Sequence, residues 1–181
     1  MQFKVPGKLI LSGEYAILYP NQIAIVAATN RTLTVAISHS NEEKSYVYSK
    51  DTDVRLYFDA LGDGFIDEAI RTAMAYIRQI MKRNVLTTTE TDLKKTSVPM
   101  KLINPISSKG SIKPKITNDP TAPLKITLAS ELSNSEKGSL GLGSSAAVVV
   151  GVIKALLKWH GIRSNKAHLF KLAYLAHYRV Q

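Results

Sequence analysis

The chain has no cysteine, so neither a disulfide nor a thiolate metal site can hold it together. Stability has to come from a packed core. A cytoplasmic setting is compatible with that and is the one expected. There is no long apolar run either. The longest, Ala146 to Ile153, is far short of the roughly 20 residues a membrane-spanning helix needs, so no membrane association is expected. Met1-Gln2-Phe3-Lys4-Val5-Pro6 lacks the apolar stretch of a secretory signal. His39, His160, His168 and His177 show no metal-ligand spacing and read as structural or surface residues. Acid is missing from one end of the chain. After Glu136 there is neither Asp nor Glu, while Lys137, Lys154, Lys158, Arg163, Lys166, Lys171 and Arg179 are all basic.

What is present is 181 residues with an ordinary 45% hydrophobic fraction, enough for one domain with its own core. The formal net charge of +10 suits an anionic ligand or an acidic partner. Nucleic acid is not expected, because the basic residues are scattered over helical patterns without interleaved aromatic stacking positions.

The most informative stretch is Gly141-Leu142-Gly143-Ser144-Ser145-Ala146-Ala147, which passes directly into the apolar Val148-Val149-Val150-Gly151-Val152-Ile153. Glycines let backbone N–H groups converge, and the start of a helix adds partial positive charge. Such a corner binds phosphate, and the Ser144 and Ser145 hydroxyls can donate to phosphate oxygens or ligate Mg²⁺. A packing role for the glycines is the competing explanation. Two familiar phosphate loops are excluded. No Lys precedes the serines, as a Walker A loop requires, and no strand-like run or later acid supports a dinucleotide fingerprint.

Taken in order, Phe3 to Leu11 reads as a strand interrupted at Pro6-Gly7, followed by turns at Ser12 to Tyr15 and Pro20-Asn21. Ile23 to Thr29 reads as a buried strand, Leu33 to Ser38 as a second and Ser45 to Ser49 as a third, together an antiparallel meander. Ile66, Ala69, Ile70, Ala73, Ile77 and Ile80 have helical spacing, which predicts a helix over 65–83 capped by Asp63. Asp67 and Glu68 at its start, with Lys82 and Arg83 at its end, match the helix dipole. Residues 84–122 read as loops or edge strands around Thr87-Thr88-Thr89 and Pro105, with a short strand over Met100 to Ile103. Pro114, Pro120 and Pro123 exclude a central strand or long helix there. Leu124 to Ala129 alternates as a strand. The helix after the glycine loop should stop at Gly161, and a last helix should start near Ser164 with Leu169, Leu172, Ala173 and Ala176 on one face.

Two motifs, more than a hundred residues apart, carry a resemblance. They are Val5-Pro6-Gly7-Lys8-Leu9-Ile10-Leu11-Ser12-Gly13-Glu14-Tyr15-Ala16 and Lys137-Gly138-Ser139-Leu140-Gly141-Leu142-Gly143-Ser144-Ser145-Ala146-Ala147. In this order they resemble the first and second motifs of the GHMP kinases, and the Gly-Glu-Tyr-Ala form looks most like phosphomevalonate kinases. The resemblance implies an α/β protein of the α+β type, whose N-terminal domain has a mixed, largely antiparallel sheet with helices. It also implies a ferredoxin-like C-terminal domain. That domain, the catalytic Asp and a third glycine-rich motif are expected beyond Gln181, so residues 1–181 read as one N-terminal domain of a longer enzyme.

By the same resemblance, Lys8 would be the catalytic and substrate-side lysine near the transferred phosphate. Glu14 and Tyr15 would meet the acceptor. Leu140 through Ala147 would hold the phosphates of ATP, with Ser145 or Ser144 on Mg²⁺. Lys101, Lys137 or Lys171 could attract a phosphorylated acceptor. The implied reaction is phosphoryl transfer from ATP to phosphomevalonate in isoprenoid synthesis. The alternatives are a mevalonate kinase, or a non-catalytic nucleotide-binding module that works with a missing domain or a complementary chain. If a domain is missing, the faces of helices 144–160 and 165–179 should be left in water and drive association.

Overall fold

A computed structural model describes residues 1–93, 122–134 and 138–181, and the side chains of 84–93, 134, 138 and 139 lie outside it. The anticipated strand at Met100 to Ile103, and Lys101 and Lys137, therefore fall outside the described residues. The elements run β1 (Gln2–Ser12), a 3₁₀ turn (Ala16–Leu18), β2 (Ile25–His39), β3 (Tyr46–Ser49), β4 (Val54–Tyr57), α1 (Phe65–Leu93), β5 (Leu124–Ser130), β6 (Ser133–Asn134), β7 (Gly138–Ser139), α2 (Ser144–Trp159) and α3 (Lys166–Val180).

Five strands form one sheet in the order β1-β2-β5-β3-β4, and β6 and β7 form a separate two-stranded pair. The expected meander is corrected here. β5, distant in sequence, inserts between β2 and β3, antiparallel to β2 and parallel to β3. The mixed, largely antiparallel sheet is as expected. β5 suits a central position because Leu124, Ile126 and Leu128 alternate on its buried face. They lie level with the alternating residues of β2, since Val35 pairs with Leu128 and Ile37 with Ile126. Leu33, Val35, Ile37, Val47 and Ile126 are all at most 1% exposed. Each such side chain contributes about 1.5–3 kcal/mol of burial.

Ile23 to Thr29 is not a separate buried strand. Residues 25–39 form one continuous strand whose first part is exposed, with Ile25 at 61% and Val26 at 54%. The reason lies in the register. β5 covers β2 only from Leu33 to His39, whereas Ile25 to Ala28 pair with β1 alone. The two strands leave the sheet as an uncovered arm, bearing exposed Leu9, Leu11 and Val26. β1 changes register between Pro6 and Lys8, where the sequence places its interruption.

α1 is ten residues longer than expected, reaching Leu93 through the Thr87–Thr89 run. Nothing between Phe65 and Leu93 is Gly or Pro, so the chain has no stop signal there. Its entry is held by Asp67 rather than Asp63. The Asp67 carboxylate accepts from the backbone N–H of Gly62 at 3.0 Å and of Gly64 at 3.1 Å.

α2 lies across the buried sheet face and is itself almost wholly buried. It ends as anticipated, with Gly161 at φ +68°. α3 starts where Asn165 accepts a hydrogen bond from the His168 N–H at 2.8 Å. Ala173 and Ala176 face inward. Glu68 of α1 reaches Arg179 of α3 at 3.7 Å and Arg71 at 4.0 Å, joining the two helices. The outer face of α3 carries a ladder that the sequence reading missed. Phe170, Tyr174 and Tyr178 stack at one-turn intervals, with ring centroids 6.1 and 6.2 Å apart, and all three are exposed. Among the described residues, α3 and the β1–β2 arm carry large exposed apolar side chains, and α2 carries none.

Gly151 of α2 sits where a Cβ would stand 2.8 Å from Val35 Cγ2. Gly151→Ala is expected to cost about 1–3 kcal/mol by overpacking, read as a lower urea midpoint at unchanged slope. His160, at the end of α2, has both ring nitrogens shut off from water without a hydrogen-bond partner, and burial pushes its pKa down. The folded chain therefore resists a proton that the unfolded chain accepts. Stability from this group is present above the ordinary imidazole value of 6.5 and falls as pH drops below it. The urea midpoint should decline on acidification, and less steeply in His160→Gln.

Candidate functional site

The site is built where β1 meets the loop before α2. Lys8 N–H donates to the Leu142 carbonyl at 2.8 Å, which pins the loop to the edge of the sheet. This approach requires glycine at position 7. A Cβ there would stand 2.6 Å from Leu132 Cδ2 and 2.8 Å from both Leu142 O and Thr29 Oγ1. Leu142 adds an anchor by packing against the core.

Two residues of the loop are left-handed, Gly141 at φ +68° and Gly143 at φ +71°. Gly143 is the N-cap of α2, with no side chain capping the helix and no acid in its first turn. The first turn closes with Ala147 N–H on Gly143 O at 3.0 Å. The amides of Ser144, Ser145 and Ala146 are left with no earlier carbonyl within the helix. They point out of a helix start that carries partial positive charge. Lys8 lies directly over this corner, since a Cβ on Gly143 would stand 2.6 Å from Lys8 Cγ and 3.1 Å from Lys8 Cε. The structure therefore brings together Lys8 and residues 141–145, two groups that the sequence holds more than a hundred positions apart.

Two concavities flank the start of α2. One, of about 310 Å³, is lined by Ser144, Ser145 and Val148 on one side and by Leu56, Phe65, Ile66 and Asp67 on the other. The second, of about 550 Å³, lies between α2 and α3 and is bordered by Lys8, Ala146, Val150, Phe170, Tyr174 and Tyr178. Uncapped amides, two hydroxyls and an ammonium around open clefts can hold an anion. Among the described residues no group of three or more His, Cys, Asp and Glu is placed to hold a metal ion. Mg²⁺ in phosphoryl-transfer sites keeps several waters and is bound through substrate phosphates and one or two carboxylates; at this cleft Ser145 offers a hydroxyl that could join such a set.

The remaining candidates are placed less closely. Glu14 and Tyr15 lie in the turn ahead of the 3₁₀ segment with exposed side chains, 78% for Tyr15. Leu140 is partly buried beside β7, and Lys171 is exposed on α3. Sequence reasoning missed Asp67 as a lining residue. It had a signal, since an acid three residues after the residue that starts a helix can reach back to that residue's N–H. Among the described residues no helix is long and apolar enough to cross a membrane.

Residues 109–181 match the model of the GHMP kinases N terminal domain. The phosphomevalonate kinase of Streptomyces sp. (strain CL190) is 27% identical over 184 residues, covering 94% of this chain. The chain spans only 41% of that relative's length. Among solved structures, Streptococcus pneumoniae phosphomevalonate kinase in complex with phosphomevalonate and AMPPNP superposes with a TM-score of 0.62 and 23% identity, over 97% of this chain and 42% of that one. Methanococcus jannaschii mevalonate kinase gives a TM-score of 0.67 and 21% identity, over 100% and 47%. The chain is thus similar to the GHMP kinases over residues 109–181 and carries the fold of their N-terminal domain. Among them it is similar to the phosphomevalonate kinases.

Gly7→Ala tests how the site is assembled. Its Cβ would collide with backbone at Leu142 as well as with side chains. We expect a loss of about 1–3 kcal/mol in urea unfolding, together with faster amide exchange over residues 141–146.

Proposed function

We propose that residues 1–181 form the ATP-binding domain of a small-molecule kinase that transfers a phosphoryl group to phosphomevalonate. The observation that carries the reading is the Lys8 side chain lying over Gly143 at the uncapped start of α2. In this reading Leu140 to Ala147 seat the phosphates of ATP, and the amides of Ser144, Ser145 and Ala146 donate to them. Ser145 supplies the protein's oxygen to Mg²⁺, which spreads the charge of the reacting phosphates. The Lys8 ammonium stabilises negative charge as it develops on the transferred group and on the acceptor oxygen. The apolar wall of Leu56, Phe65 and Ile66 suits the nucleoside, while the side bordered by Lys8 is left for the acceptor. Glu14 and Tyr15, on the turn that follows β1, contact the acceptor.

The acceptor is drawn from the likeness to the Streptomyces phosphomevalonate kinase. The similar fold of a mevalonate kinase makes mevalonate the second candidate. Both are tested by offering each acceptor to the full-length protein with Mg²⁺ and ATP and following ADP release. Turnover on phosphomevalonate alone supports the reading, and turnover on mevalonate alone reassigns the acceptor. No turnover on either, with AMPPNP still bound, reassigns the domain to nucleotide binding without catalysis.

Calorimetric titration of residues 1–181 with AMPPNP and Mg²⁺ should show one site. Lys8→Met should weaken binding by about tenfold or more, as expected for losing a charged hydrogen bond to phosphate. Unchanged affinity in that variant would remove Lys8 from the site.

A further inference from the structure

The cleft beside Ser144 and Ser145 is bordered by the starts of two helices. α2 enters it with no acid and no side-chain cap. α1 enters it with Asp67, which is only 5% exposed. Both oxygens of Asp67 are engaged by the short loop ahead of α1, Oδ1 by Gly62 N–H and Oδ2 by Gly64 N–H. A Cβ at Gly64 would stand 2.7 Å from Asp67 Oδ2 and would push that carboxylate aside. A second tie comes from Arg71, whose Nη2 donates to the Leu61 carbonyl at 3.0 Å. The helix then starts with Glu68 N–H on Gly64 O. Gly64, Phe65 and Ile66, held in this way, form the wall facing the two serines.

We propose that Asp67 is a positioning residue of the nucleotide cleft. It holds the wall of Gly64, Phe65 and Ile66 at the right distance from Ser144 and Ser145. It also fills the positive start of α1 with its own carboxylate, so that a polyphosphate seats only on α2. The inference rests on the nucleotide reading of the cleft and adds a residue to it. Asp67 does not touch the reacting atoms. It acts by satisfying donors that would otherwise compete for phosphate and by fixing the wall against which the nucleoside packs.

The test compares Asp67→Ala and Asp67→Asn with the unaltered chain by calorimetric titration with AMPPNP and Mg²⁺, and by amide exchange at Gly62 and Gly64. Expected are faster exchange at both glycines in Asp67→Ala and affinity about tenfold weaker. Partial recovery of both is expected in Asp67→Asn, which keeps one acceptor. Inorganic tripolyphosphate should bind the unaltered chain at one site and gain a second, weak site in Asp67→Ala. Faster glycine exchange with AMPPNP affinity unchanged in the folded variant would overturn the proposal, leaving Asp67 a helix cap only. If the unaltered chain binds no AMPPNP while its Gly62 and Gly64 amides are protected, the nucleotide reading itself fails, and the positioning role falls with it. If Asp67→Ala does not fold, Asp67→Asn decides alone, and affinity equal to that of the unaltered chain refutes the role.

Discussion

The hydrogen bond from Lys8 N–H to Leu142 O is the contact on which the site depends. It joins the edge of the sheet to the loop that starts α2, and it forms only because Gly7 has no side chain to hold the two backbones apart. The same contact sets the distance between a lysine and a helix start, both positively polarised. Two such groups repel when nothing lies between them. An anion placed between them would be held by both, as at preorganised electrostatic sites.

The core explains why this contact can be held rigidly. α2 is packed on the sheet through Gly151 against Val35, Leu33 and Val5. It is pressed from the other side by α1 and α3. The helix cannot slide without opening a layer of side chains that are almost completely dry. The glycine loop at the start of so buried a helix inherits its rigidity. The opposite wall, from the start of α1, comes from a shorter and more polar arrangement, which explains why it needs a carboxylate to keep its shape.

Much of this was legible in the sequence, and the failures have physical reasons. The helix start at Ser144 and the breaks at Pro6-Gly7 and Gly161 are marked by residues whose backbone preferences are strong. The alternating cores of β2 and β5 were legible because strand periodicity reports burial directly. The order of the strands was not, because nothing local in Leu124 to Ser130 says that it slips between β2 and β3. Exposure of Ile25 and Val26 was equally hidden. β-branched residues look buried until the register shows that the neighbouring strand has ended. At the site, the glycine loop and Lys8 were found through motifs, and their proximity emerged only from the fold. Asp67 was read as a dipole partner, which is correct as far as it goes, but the loop whose amides it holds cannot be inferred from charge placement alone.

The two halves of the site lie near opposite ends of the chain, and this has a bearing on how the domain comes into being. β1 can pair with β2 early, since that contact is local, but Lys8 cannot meet Leu142 until α2 and β5 have taken their places. Contacts of such long sequence separation are slow to form and carry a large closure entropy. Until residues 124–159 have been made, a nascent chain would hold the first motif without the loop that it meets in the fold. In the proposed reading, nucleotide affinity would then belong to the closed topology rather than to either motif alone.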